Sequence, residues 1–93
     1  SYLMYHLREF AESLNLPDQL PGCDIAVRCD RILIDAPDFR LDLYGWPDNR
    51  VVFANKVTGQ NTIKRFGHNG RDKCREFYLN CLESIGVDLT VVE

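Results

Sequence analysis

The sequence predicts an α+β fold with an N-terminal helix, a mainly antiparallel sheet of three to four strands, a second helix and a short C-terminal strand. Apolar residues recur at helical spacing near both ends of the chain, whereas apolar and polar residues alternate in the middle. Only short turns rich in Gly, Pro, Asn and Asp separate the alternating segments, and such turns join antiparallel neighbours.

The first helix is predicted by four apolar residues at spacings of four and three, namely Leu3, Leu7, Phe10 and Leu14. Pro17 is expected to end this helix, because proline cannot donate the backbone hydrogen bond that a helix interior needs. The segment 17–22 contains two prolines and a glycine, so it is predicted to be a loop.

The strand region begins at Ile25, where apolar and polar residues start to alternate. The alternation changes phase near Asp30, which indicates either a bulge or a tight turn. Apolar positions predict the following strands at Phe39, Leu41 and Leu43, at Val51, Phe53 and Val57, and from Thr62 to Phe66. Turns are predicted at 46–49 and 58–61.

A second helix of about four turns is predicted by six apolar residues, namely Cys74, Phe77, Tyr78, Cys81, Leu82 and Ile85. Gly86 suits the end of this helix, because glycine readily adopts the left-handed conformation found there. The alternation from Val87 to Val92 predicts a short final strand. Its open edge offers one route to a homodimer.

The composition is typical of one globular domain spanning residues 1–93. Hydrophobic residues make up 45% of the chain and charged residues 27%, which is enough apolar content to form a core. The apolar runs are too short to span a bilayer, and no basic segment followed by a long apolar run indicates secretion. We therefore expect a cytoplasmic protein without membrane association, whose cysteines stay reduced.

The net charge of −3 conceals a segregation of charge along the chain. Residues 1–49 carry nine acids and four bases, and residues 50–75 carry seven bases with Asp72 as their single acid. Residues 76–93 carry four acids and no base. Such segregation predicts surfaces of opposite charge, which can steer binding partners.

The basic segment 64–75 is the first candidate site, and an anion- or nucleic-acid-binding role is predicted for Lys64, Arg65, His68, Arg71, Lys73 and Arg75. A strand leads here through a glycine-containing loop into a helix, and backbone N–H groups at a helix start favour phosphate or carboxylate ligands. Two alternatives stay open. Asp72 could cap the helix and occupy that position, or the cations could form a solvated surface that balances the acids.

Two features of this region resemble RNA-binding families. The segment Gly67-His68-Asn69-Gly70 matches the bare GxxG pattern of KH domains, and a helix, antiparallel strands and a helix with a basic start resemble the element order of double-stranded-RNA-binding domains. A predicted strand stands where KH domains have a helix. The segment 71–75 replaces the lysine-rich helix start of the second family, so the chain is assigned to neither.

The second candidate site is an aromatic and acidic surface predicted to bind a protein, formed by Asp42, Tyr44, Trp46 and Asp48. Alternation places Tyr44 on the strand face opposite the apolar residues, and Tyr and Trp are enriched in interface hot spots. One alternative is that both aromatic side chains pack into this small domain. The acids could instead imitate DNA phosphates or pair with neighbouring arginines.

The sequence predicts no catalytic residue, no metal site and no cofactor. Its cysteines, Cys23, Cys29, Cys74 and Cys81, form no CxxC pair, and no HxxxH pair is present. Phosphate-binding, dinucleotide-binding and nucleophile-elbow motifs are also missing from the sequence. We therefore expect a protein that is not an enzyme.

These observations favour a non-enzymatic protein-interaction module. One hypothesis is a small inhibitor or adaptor of the kind that phages and mobile elements encode, which binds a larger protein or ribonucleoprotein complex. The alternative function is nucleic-acid binding through the segment 64–75. Salt dependence separates the two, because phosphate contacts release counterions when they form.

Overall fold

The computed structural model describes the backbone of residues 2–91 and the side chains of residues 7–90. The helices are α1 (Tyr2–Ser13), α2 (Leu16–Gln19), α3 (Arg71–Ser84) and a 3-10 helix (Leu89–Val91), and the strands are β1 (Asp24–Val27), β2 (Arg31–Asp35), β3 (Phe39–Tyr44), β4 (Arg50–Asn55) and β5 (Asn61–Arg65). The predicted α+β class is confirmed.

The five strands form one antiparallel sheet in the order β1-β2-β3-β4-β5. One face of this sheet packs against the helices, and the core includes Leu7, Leu14, Ile32, Ile34, Leu41, Leu43, Val51, Tyr78 and Leu82. Because side chains alternate along a strand, Leu33, Asp42 and Val52 lie on the opposite face. We call this second face the open face.

The chain makes a tight turn near Asp30 instead of a bulge. This turn divides the region into two strands, β1 and β2, so the sheet has five strands. The backbone N–H of Arg28 donates to the carbonyl of Arg31 at 2.8 Å, which closes a hairpin between β1 and β2. Cys29 is exposed in this turn. The predicted strands around Leu41 and Phe53 are confirmed in position.

The connection between β4 and β5 begins earlier than predicted. Val57 lies in this turn with 79% of its surface exposed, instead of in a strand. The side chain of Asn55 forms the turn by accepting hydrogen bonds from the backbone N–H groups of Val57 and Thr58 at 2.9 and 3.0 Å. This Asx geometry is a common way for Asn to start a turn.

The prediction that Pro17 ends the first helix is wrong. That helix already ends at Ser13, and Asn15 adopts a left-handed conformation with φ of 52°. Pro17 lies in the first turn of α2, where its missing N–H costs no helical hydrogen bond. The segment 17–22 is therefore partly helical.

The second predicted helix is confirmed as α3, which buries Cys74, Tyr78, Cys81 and Leu82. Gly70 precedes it, and a Cβ at this position would lie 2.2 Å from the carbonyl oxygen of Phe66. Only glycine therefore allows this close approach of backbone.

The predicted strand from Val87 to Val92 is wrong over the residues that the structure describes, which end at residue 91. Gly86 turns the chain with φ of 101°, and residues 89–91 form the 3-10 helix. The carboxylate of Asp88 accepts hydrogen bonds from the backbone N–H and the hydroxyl of Thr90 at 2.9 and 2.6 Å. This local bonding competes with an extended strand.

Across residues 2–91, no helix combines the length and the apolar character needed to cross a membrane.

Candidate functional site

Four side chains from four strands line up across one end of the open face. In the register of the sheet, Arg31 lies opposite Tyr44, Tyr44 opposite Arg50, and Arg50 opposite Arg65. Directly paired residues point to the same face of a sheet, so these four side chains form a row, which we call the arginine-tyrosine row. It combines three cations with one aromatic ring.

The centre of the arginine-tyrosine row is a cation-π contact. The guanidinium carbon of Arg50 lies 4.2 Å from the centroid of the Tyr44 ring, within the range of an attractive interaction. Arg50 also donates to the carboxylate of Asp48 at 2.9 Å. Tyr44 is half-buried, so it lies on the surface beside Arg50 and not under a helix.

Trp46 connects the two segments that the sequence predicted as separate sites. Its ring meets the ring of His68 edge to face, with centroids 5.0 Å apart, and 46% of its surface is exposed. Trp46 belongs to the aromatic candidate site, whereas His68 belongs to the basic segment 64–75. The two segments therefore meet at this contact.

Asn49 holds these two segments together. Its side-chain amide donates to the carbonyl of Gly67 at 2.9 Å, and its own carbonyl accepts from the backbone N–H of Phe66 at 2.9 Å. The residue is 1% exposed and has φ of 48°. Asn tolerates this left-handed conformation better than most residues, so it suits a turn that must also donate a hydrogen bond.

The start of α3 adds cations beside Trp46. Arg71, Arg75 and Trp46 line a small cavity of about 40 Å³ together with residues of α1 and the β1–β2 turn. The guanidinium carbon of Arg75 lies 4.7 Å from the Phe10 ring centroid. Burial lowers the pKa of Arg75 from its usual range, and the charge of Arg71 acts in the same direction.

Asp42 does not belong to an exposed binding surface. It is 3% exposed and accepts a hydrogen bond from Arg40 at 2.9 Å. Its second carboxylate oxygen is buried and has no hydrogen-bond partner within the described part of the chain. The expectation of a protein-binding role for Asp42 therefore loses its basis, because the side chain is inaccessible.

The acids near the arginine-tyrosine row are each paired with an arginine. Asp30 pairs with Arg31 at 3.6 Å, Asp48 with Arg50 at 2.9 Å and Asp72 with Arg71 at 3.2 Å. Asp72 makes no side-chain cap for α3, so the capping alternative is not realised. Over the side chains of residues 7–90, no ion pair is found for Lys64, Arg65 or Lys73.

The remaining basic residues lie on two sides of β5. Arg65 is in the arginine-tyrosine row, whereas Lys64 is exposed on the side of the sheet that faces the helices. Lys73 lies next to Phe66 and Phe77 at a shallow groove between α3 and β5. The structure therefore places His68, Arg71 and Arg75 beside Trp46 and Arg65 in the arginine-tyrosine row, whereas Lys64 and Lys73 lie apart from both.

Sequence reasoning missed Arg31, Arg50 and Asn49 as members of this site. Their positions depend on strand register and on contacts between distant loops, which periodicity alone does not reveal. One feature of the sequence could have indicated the row, because β2 and β4 each begin with an arginine, Arg31 and Arg50.

The buried thiol of Cys74 is not arranged for catalysis. Burial raises its pKa to about 11, so the thiol is protonated at neutral pH and is a poor nucleophile. Among the side chains that the structure describes, no cluster of three or more His, Cys, Asp or Glu residues could hold a metal ion.

Comparison of the chain with protein-family models, with curated proteins and with solved structures yields no match.

Proposed function

We propose that the protein binds single-stranded nucleic acid through the arginine-tyrosine row together with Trp46, His68 and Arg71. The observation that carries this proposal is the contact between Trp46 and His68, because it joins the exposed aromatic ring to the basic segment. Proteins that bind single strands combine these two features, namely a positively charged track for the backbone and aromatic rings for the bases.

The distribution of charge supports an anionic ligand. The hairpin ends β1–β2 and β3–β4 and the start of α3 meet at one end of the sheet, with Arg31, Arg50, Arg65 and Arg71 among them. At the opposite end, Asp24 lies directly across from Asp35, and Asp35 pairs with Lys56. Asp24 and Asp35 are thus remote from these cations, whereas Asp30 and Asp48 lie beside them in ion pairs with Arg31 and Arg50. Arg65 has no such pair among the described side chains and keeps its charge available for a phosphate.

The aromatic side chains favour a single strand over a duplex. Trp46 is nearly half exposed, and Tyr44 is half-buried with the guanidinium of Arg50 over its ring. Bases can stack on such rings only when they are not already stacked in a duplex. Within the described residues, the open face carries no protruding helix that could enter a major groove.

A protein partner is the second candidate, and the exposure of Trp46 favours it. Trp and Arg are common hot-spot residues, so an acidic protein surface would suit the same residues. A role as an inhibitor or adaptor of a larger complex belongs to this second candidate and is a hypothesis.

The test is fluorescence anisotropy with labelled single-stranded and duplex DNA and RNA at low and moderate salt. We expect single strands to bind more tightly than duplexes and the affinity to fall steeply with salt. The variant Arg31→Gln/Arg65→Gln should bind at least about tenfold more weakly, because two phosphate-contacting charges are lost.

The matched control is Lys56→Gln, which removes a cation at the opposite end of the sheet and should leave the affinity near that of the native protein. An equal loss of binding free energy per removed cation in the two variants would reflect net charge alone and contradict the proposed site. Absence of binding to all four nucleic acids at low salt would overturn the proposal in favour of the protein partner.

A further inference from the structure

Strand β1 is an edge of the sheet, and some of its backbone N–H and C=O groups do not bond to β2. The Arg28–Arg31 pair is hydrogen-bonded, and hydrogen-bonded pairs alternate along an antiparallel ladder. Ala26 and Asp24 therefore bond to their partners on β2. The backbone N–H and C=O groups of Ile25 and Val27 must point away from β2.

These outward groups have little else to bond. In the part of the chain that the structure describes, their one partner is the guanidinium of Arg28, which lies 3.4 Å from the carbonyl of Val27. Unpaired donors and acceptors on a sheet edge favour the addition of another strand. The backbone of β1 can therefore form hydrogen bonds with an additional strand.

The side chains of β1 and of Arg28, the residue that follows it, are complementary to those of a second copy. Asp24 and Arg28 stand at equal distances along the chain on either side of Ala26. An antiparallel pair centred on Ala26 puts Asp24 of each copy opposite Arg28 of the other. The same register places Ile25 opposite Val27, with their outward backbone groups in position to bond.

We propose that the protein forms a symmetric dimer in which the β1 strands of two copies pair antiparallel about Ala26. The two sheets then join into one, with the helices of both copies on the same side. Both Asp24 and Arg28 are exposed and take part in no ion pair among the described side chains, and each acquires a partner in the dimer.

The charges and the apolar surface around β1 also favour this register. In this register the row of side chains Asp35 and Asp24 of one copy continues into Arg28 and Arg31 of the other, so acids and bases meet across the junction at Asp24 and Arg28. On the helix side, Ile25 and Val27 border a cleft of about 320 Å³, together with residues of α1 and α2 such as Leu16. The added strand covers this partly apolar cleft, which contributes hydrophobic stabilisation.

The other edge, β5, suits a second copy less well. All five of its residues are exposed, and Lys64 and Arg65 are both cationic. Lysine and arginine on an edge strand oppose pairing with a like strand. The charges therefore favour β1 as the dimer edge and leave β5 free.

The experiment is analytical ultracentrifugation over micromolar to millimolar protein at low and moderate salt. We expect a concentration-dependent dimer that weakens with salt, because two pairs of opposite charge cross the interface. The variants Asp24→Arg and Arg28→Asp should each raise the dimer Kd by about tenfold or more, since each puts like charges directly opposite one another. Thermal melts check that each variant folds.

Mixing the two variants provides the decisive measurement. In the mixed pair, the two cations that the Asp24→Arg chain carries at these positions lie opposite the two carboxylates of the Arg28→Asp chain, so the mixture should form a heterodimer. The double variant Asp24→Arg/Arg28→Asp should dimerise like the native chain, and Lys64→Glu should leave the dimer unchanged. A native protein that is monomeric at all concentrations, single variants that dimerise normally, or a mixture that stays monomeric would each overturn the proposal.

Discussion

Trp46 and His68 meet edge to face with their ring centroids 5.0 Å apart, although they belong to different connections of the sheet. Trp46 lies between β3 and β4, and His68 lies between β5 and α3. The contact turns an aromatic loop and a basic loop into one surface.

Replacing Trp46 by Ala should weaken binding of single-stranded nucleic acid by about tenfold, because one stacked base contributes about 1 to 3 kcal/mol. The folded state should lose only about 1 kcal/mol, since 46% of the Trp46 surface is already exposed. Anisotropy and urea unfolding measure the two effects. Val57→Ala, at an exposed apolar residue remote from the site, should change neither, and a large loss of stability in Trp46→Ala would make Trp46 a core residue.

Replacing Asn49 by Ala should destabilise the fold by about 2 to 3 kcal/mol, because the carbonyl of Gly67 loses its donor and alanine is strained at positive φ. Asn49→Gly removes only the donor and should be less destabilised, by about 1 kcal/mol. Chemical denaturation compares the two variants. In both, the NMR signals of the His68 ring should shift as its contact with Trp46 loosens, and unchanged signals would show that Asn49 does not position this loop.

Removing Arg40 should cost more stability than removing its partner. Arg40→Ala leaves the buried carboxylate of Asp42 without its single ion-pair partner among the described side chains, and we expect a loss of about 2 kcal/mol. Asp42→Val places an apolar side chain between Leu33 and Val52 and removes a buried oxygen that has no partner. That variant should be as stable as the native protein or gain up to about 1 kcal/mol.

The control for this pair is Arg71→Ala, which breaks an exposed ion pair with Asp72 and should change the free energy of unfolding by less than about 1 kcal/mol. Equal losses in Arg40→Ala and Arg71→Ala would mean that burial of Asp42 carries no penalty.

Local periodicity was sufficient to predict most helices and strands. The helix positions around Tyr78 and the alternation around Leu41 depend on residues close in sequence, and both predictions are confirmed. The errors arose where side chains act on the backbone. The carboxylate of Asp88 turned a predicted strand into a 3-10 helix, and Pro17 opened a helix that it was expected to end.

The candidate site was predictable only in parts. Tyr44 and Arg65 were both singled out from the sequence, but their membership of one row follows from the pairing of β3, β4 and β5. Register is a property of strand pairing and requires contacts that a single segment does not specify. For the same reason, the burial of Asp42 escaped prediction, since Arg40 and the neighbouring strands cover it together.

Three groups buried on α3 make stability fall at alkaline pH, since burial raises the pKa of the Cys81 thiol as well as that of Cys74 and Tyr78. Burial raises the pKa of the Cys74 thiol from 9.0 to about 11 and raises the pKa of the Tyr78 hydroxyl far above its usual range. Each group stays neutral in the folded protein and ionises more readily in the unfolded chain. For Cys74, the stabilisation is therefore complete below the unfolded pKa of 9.0 and is lost as the pH rises through about 11.

The variant Tyr78→Phe measures how much the Tyr78 hydroxyl contributes to the loss of stability at alkaline pH. This oxygen is buried without a hydrogen-bond partner among the described residues, so its removal at neutral pH should leave stability unchanged or raise it by up to about 1 kcal/mol. At about pH 10.5 the variant should exceed the native protein by a larger margin, because it no longer favours ionisation of the unfolded chain at this position. Urea unfolding at both pH values measures the difference. A constant margin across this pH range would show that Tyr78 does not cause the alkaline loss, and a neutral-pH loss above about 1 kcal/mol would indicate that the hydroxyl stabilises the fold through a bonded partner.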